Sequence, residues 1–134
     1  MRVLYGLLCE EAASRDDGRL DAEGVFHQLF APGFPAKQDR MMLAVALEWN
    51  EGESGRKEFR IDLLDPSRSP ALTVSGHTDV TPTGPGEAPA QTRLVMPLEG
   101  VVFPVVGTYL FELHVGDEPI VLCPLHLVES PATE

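Results

Sequence analysis

The residues best equipped for chemistry are the carboxylates between Glu10 and Glu23. Six of them (Glu10, Glu11, Asp16, Asp17, Asp21 and Glu23) stand against only Arg15 and Arg19, which leaves a local charge of −4. Loop carboxylates are the oxygen donors that Ca²⁺ prefers, so Asp16, Asp17, Asp21 and Glu23 are the candidate metal ligands. Their spacing departs from the helix–loop–helix calcium loop, because Arg19 stands between Asp17 and Asp21 where a ligand belongs. The competing reading is a solvated turn, and Asp17-Gly18 is a turn signal.

Other chemistry finds less support. The four histidines, His27, His77, His114 and His126, form no short-spaced metal pair. Cys9 and Cys123 lie inside apolar strand patterns, with no neighbouring His or cation to lower a thiol pKa. They read as core thiols, and a disulfide between the first and last strands is the alternative. There is no Gly-x-Ser-x-Gly elbow. Thr83-Gly84-Pro85-Gly86 precedes no helix, and its proline removes an amide that a phosphate would need. The expectation is a protein that is not an enzyme and uses no cofactor.

Those residues must be positioned by strands. The 134 residues suit a single domain, set at 1–128 with a flexible tail at 129–134, large enough to bury a core without metals or bridges. A net charge of −11 disfavours nucleic acid and anionic membranes, because phosphate binding needs clustered Lys and Arg. No apolar run approaches a membrane span, and residues 2–12 lack the flanks of a signal peptide. Cytoplasmic residence is therefore expected. Eight Arg against two Lys, with one Asn and two Ile, point to a GC-rich bacterial genome.

Period-two alternation recurs along the chain. It marks strands over 2–11, 25–30, 39–49, 56–64, 71–80 and 91–98, then two more in Gly107–Val128. In the third, Met41, Leu43, Val45, Leu47 and Trp49 alternate with Met42, Ala44, Ala46 and Glu48, and the small Ala44 and Ala46 imply that this second face is closely approached as well. Thr81–Pro89 is a Pro/Gly loop. About eight strands divided by turns, and no helical period, give an all-β fold, a sandwich or barrel.

Gly107–Val128 reads as a hairpin. A two-residue turn at Gly116-Asp117 would put Leu122 opposite Phe111. A three-residue turn, Gly116–Glu118, pairs Phe111 with Cys123 and Tyr109 with Leu125. The latter unites Tyr109, Phe111, Leu113, Val121, Cys123, Leu125 and Leu127 on one face, so it is the expected register. It also places His126 near Thr108, roughly 20 Å from His114 at the rise of a strand. Pro124 cannot donate to a ladder and points to an edge or bulge.

Two apolar loop segments, Phe30–Pro35 and Val102-Phe103-Pro104, have two readings. Exposed, Phe30, Phe34 and Phe103 would form an interaction patch; packed down, they cap the ends of the sandwich.

One resemblance covers nearly the whole chain. Cys9-Glu10 closing the first strand, Gly24-Val25-Phe26, Ala31-Pro32-Gly33-Phe34-Pro35 and Asp62-Leu63-Leu64-Asp65-Pro66 belong to it. So do Leu98-Glu99-Gly100-Val101-Val102-Phe103-Pro104 and Gly107-Thr108-Tyr109-x-Phe111. Together they resemble a bacterial family of small uncharacterised proteins, a domain of unknown function. The late-strand pattern Pro-x-x-Gly-x-Tyr-x-Phe is similar to that of immunoglobulin-like and fibronectin-like sandwiches. The resemblance implies an immunoglobulin-like antiparallel sandwich and brings no catalytic residues. The expected function is protein–protein interaction or self-association, with a small-ligand or Ca²⁺-binding module as the alternative.

Overall fold

The computed structural model describes residues 1–130. It contains ten strands: β1 (Arg2–Cys9), β2 (Glu11–Ser14), β3 (Leu20–Glu23), β4 (Gln28–Ala31), β5 (Ala36–Glu48), β6 (Gly55–Leu64), β7 (Pro70–Val80), β8 (Gln91–Phe103), β9 (Gly107–Val115) and β10 (Glu118–Glu129). Among the described residues no helix is long and apolar enough to cross a membrane.

Alternation places the core. Met41, Leu43, Val45 and Leu47 of β5 point to one side of a three-stranded sheet ordered β1-β5-β8. Ile61 and Leu63 of β6, Tyr109, Phe111 and Leu113 of β9, and Leu125 and Leu127 of β10 point inward from a five-stranded sheet ordered β4-β10-β9-β6-β7. These two sets form one buried cluster between the sheets. Each fully buried Leu, Val, Ile or Phe contributes about 1.5–3 kcal/mol, so the facing rows dominate the fold. Trp49 closes one end, its buried Nε1 donating to Thr92 Oγ1 at 2.9 Å.

The outer side of β5 is buried too. Met42, Ala44 and Ala46 are covered, as the small size of the two alanines anticipated. Their cover is the acidic segment itself, a β2–β3 hairpin lying against β5 and β8. Ala12 stands opposite Ala22 and Ser14 opposite Leu20 on one side of this hairpin, and Ala12, Leu20 and Ala22 are half-buried. Glu11, Ala13, Asp21 and Glu23 alternate with them and are exposed. Two contacts bracket the lid: Arg40 pairs with Glu11, and Arg93 donates to the carbonyl of Gly18.

Several expectations need correction. The described residues form ten strands rather than eight, because the charged segment hides a short hairpin whose inward residues are mostly alanines. The strand expected at 25–30 runs from Gln28 to Ala31, parallel to β10, while Phe26 makes a single bridge to Leu8. At the β9–β10 hairpin Val115 stands opposite Glu118, so the turn is the two-residue Gly116-Asp117. A register shift between Val121 and Cys123 then restores Cys123 opposite Phe111 and Leu125 opposite Tyr109. The bulge reconciles a tight turn with a uniform core face. It leaves Val121 opposite Glu112 on the outer side, 52% exposed, and not in the core face. Pro124 lies between that shift and His126, where pairing with β4 begins. Glu129, placed in the tail from sequence, pairs with Ala31, and Ser130 donates its amide to Ala31; the remainder, 131–134, lies outside the described residues.

Both cysteines are free. Burial raises the thiol pKa of Cys9, with the charge of Glu11 adding to it, and pushes that of Cys123 up to about 11. The thiolate is the nucleophile. An alkylating reagent at neutral pH is therefore expected to leave both thiols of the folded protein unmodified and to label both in denaturant, as read by intact mass.

Candidate functional site

The outward residues of the five-stranded sheet fall in rows set by its register. In one row Glu112 stands between Val121 and Asp62, and Asp62 opposite Thr73. In the next, His114 stands between Pro119 and Arg60, and Arg60 opposite Ser75. Two carboxylates directly opposite one another repel. Here the neighbouring row compensates. Arg60 Nε donates to Asp62 Oδ2 at 3.2 Å, and Thr73 Oγ1 donates to Asp62 Oδ1 at 2.8 Å. His114 Nε2 sits 2.9 Å from Glu112 Oε1 and 3.4 Å from Asp62 Oδ2, aligned for a hydrogen bond to neither. Asp62 is only 5% exposed despite facing outward, because Leu64 and Leu110 form the adjoining row.

Chemically this is a compensated ion cluster. Arg60 already occupies the Asp62 oxygen that faces His114, so the site carries its own cation. Asp62→Ala is expected to cost about 1–2 kcal/mol, the loss of charged hydrogen bonds moderated by relief of the Asp62–Glu112 repulsion; urea denaturation checks it. Alternation with Ile61, Leu63, Phe111 and Leu113 in the sequence sets Arg60, Asp62, Glu112 and His114 outward. It misses their adjacency, because the pairing of β6 with β9 leaves no local signal.

The acidic candidates are not brought together. Asp16 and Asp17 lie in the β2–β3 turn, whereas Asp21 and Glu23 point outward along β3. Arg15 lies 3.3 Å from Asp17 and 3.9 Å from Asp21, and Arg19 lies 3.9 Å from Asp17. Among the described residues no group of three His, Cys, Asp or Glu side chains could hold a metal ion. The segment is the charged outer side of a lid.

Of the three aromatic candidates, Phe103 is 1% exposed and stacks edge-on against Tyr109, with ring centroids 5.1 Å apart. It cannot line an exposed patch, and this corrects that expectation: β8 continues through Phe103 and turns its ring into the core. Phe34 is half-buried against the same core. Phe30 is 64% exposed and stands opposite Val128, which is 37% exposed. Val105 and Val106, both exposed, precede Gly107, which pairs with Leu127, so they reach the same end of the sheet. The apolar end thus comprises Phe30, Val128, Val105 and Val106.

A cleft of 370 Å³ lies at the opposite end, between the β5–β6 and β7–β8 loops. Its walls include Glu48, Glu51, Glu53 and Glu87. Its one large aromatic, Trp49, is committed to Thr92. The amino terminus neutralises Glu53 at 2.7 Å, and that hydrogen bond, followed by one from the Asn50 amide, lowers the Glu53 pKa. An acidic, Pro/Gly-rich mouth lacks the apolar lining typical of small-molecule pockets.

Three strands facing five around one core, with a hairpin lid, define an all-β, sandwich-like domain. Residues 4–128 match the model of a family of unknown function, DUF6941, and the chain belongs to that family. No curated protein and no solved structure matches it.

Proposed function

We propose that this domain is an immunoglobulin-like sandwich that works without catalysis, by binding another protein through its apolar end. The observation that carries the reading is the exposed pair Phe30–Val128 at the sheet end that the exposed Val105 and Val106 also reach, on a chain of net charge −11. Exposed aromatic and aliphatic residues grouped at one site mark interaction surfaces, whereas scattered ones do not.

The immunoglobulin-like reading is supported by strand order. The first, fifth and eighth strands make one sheet, and the late hairpin β9–β10 sits centrally in the other with β4 parallel to its last strand. Tyr109 adds a second support. It lies near the start of β9, and its hydroxyl donates to Val105 O at 2.7 Å, the local return bond of a tyrosine corner. The setting we read is a bacterial cytoplasm, on the composition and the two unbridged thiols.

A photoreactive side chain at position 30, with and without Val106→Glu, tests the proposal. Both sites are exposed, so stability should change by no more than about 0.5 kcal/mol. A photoreactive side chain at position 30 should capture one recurring protein in the source cells, and Val106→Glu in that chain should abolish the capture. Capture no greater than that from position 117 would overturn the reading.

A further inference from the structure

Sheet edges expose unpaired amides and carbonyls, and folded proteins normally blunt them. Three edges of this sandwich are blunted. β4 is only four residues long. β1 carries a bulge between Val3 and Tyr5, and Phe26 caps Leu8. β8 has Pro97 within it and a kink at Gly100, whose φ is 63°. β7 differs. From Leu72 to Val80 its ladder with β6 is regular, and the segment holds no Pro, Lys, Arg or Glu. Among the described residues β6 is the only strand with which β7 pairs. Its one glycine, Gly76, lies under the ring of Phe59 directly opposite, the aromatic cover that supports an edge glycine.

Charge favours this edge for self-pairing. The segment from Gly55 to Val80 contains Arg56, Lys57, Arg60 and Arg68 against Glu58, Asp62, Asp65 and Asp79, so it is neutral in a chain of −11. The remainder carries the whole excess and would repel a second copy.

We propose that β7 pairs antiparallel with β7 of a second copy about a two-fold axis at Ser75, joining two five-stranded sheets into one. In that register Thr73 faces His77 and Leu72 faces Thr78, so no like charges meet across the axis. The half-buried Leu72 and Val74 extend the apolar inner face across the junction. This rests on the interaction reading and assigns it a second surface, remote from Phe30.

Sedimentation over a concentration series tests it on the full chain. Ser75 is exposed, so Ser75→Lys leaves the monomer intact while placing two cations at the axis beside the two Arg60 side chains. It should weaken the dimer at least about tenfold, whereas Phe30→Glu should leave the dimer unchanged. Cysteines introduced singly at Thr73, Ser75 and His77 should cross-link most at 75 under mild oxidation. A monomer at all concentrations, or a dimer insensitive to Ser75→Lys, overturns the edge pairing. If such a monomer still cross-links a different protein through position 30, only the edge pairing falls. A dimer lost on Phe30→Glu and kept on Ser75→Lys assigns self-association to the apolar end instead.

Discussion

Tyr109→Ala is expected to destabilise the protein by about 3–5 kcal/mol, the cost of removing a large buried ring. The side chain is fully buried at the meeting point of β8 and β9. Its ring packs edge-on against Phe103, and its hydroxyl both donates to Val105 O and accepts from Val105 N, at 2.7 and 3.2 Å. It therefore ties down the β8–β9 link as well as filling the core. Tyr109→Phe keeps the ring and is expected to cost only about 1–2 kcal/mol, the price of two backbone groups losing their partner. Urea denaturation of the two variants separates packing from hydrogen bonding. Burial raises the phenol pKa of Tyr109; the hydrogen bond from the Val105 amide opposes that shift, and Asp65 adds to it. A group whose folded pKa is raised stabilises the fold fully below its unfolded pKa. That contribution falls as pH rises through the raised folded value. Wild type should lose stability as pH climbs past the ordinary phenol range near 10, and Tyr109→Phe should lack that component.

Ala44→Phe is expected to cost about 3 kcal/mol, the upper part of the usual range for overpacking. Ala44 faces away from the main core, yet it is fully buried. The lid crosses it between two anchors, Arg40–Glu11 at one end and Arg93–Gly18 at the other. A ring at position 44 must lift the hairpin or push β1 and β8 apart. Ala13→Phe, on the exposed side of the lid, is the control and should change stability by no more than about 0.5 kcal/mol. Hydrogen exchange would report the lid directly, since amides of β2 and β3 should lose protection in Ala44→Phe and keep it in Ala13→Phe.

The legible part of the fold was its alternation. Met41 to Leu47 and Tyr109 to Leu113 declared their buried faces because period two with large apolar residues has few other readings. Ala44 and Ala46 even announced that something lay on the reverse side. What covered them did not read as structure, because the lid's inward residues are mostly alanines and its outward ones are charged. The register of β9 with β10 was half readable. The apolar set demanded Phe111 opposite Cys123, whereas the turn chemistry of Gly116-Asp117 demanded two residues; both hold because a bulge absorbs the difference. The outward cluster around Asp62 was invisible, since its members lie about fifty residues apart and meet only through the β6–β9 pairing. Phe103 misled because Val102-Phe103-Pro104 resembles a loop, whereas β8 runs through it.

Phe30, Val106 and Val128 mark the apolar end proposed above as the binding surface. The most direct measurement is a photo-crosslinking scan in the source cells, with the probe placed at Phe30, Val106 and Val128 and, separately, at Glu51, Glu87 and Asp117. Binding through the apolar end predicts one recurring protein adduct from the first three positions and none from the others. Adducts confined to Glu51 and Glu87, or spread evenly over all six positions, would contradict it.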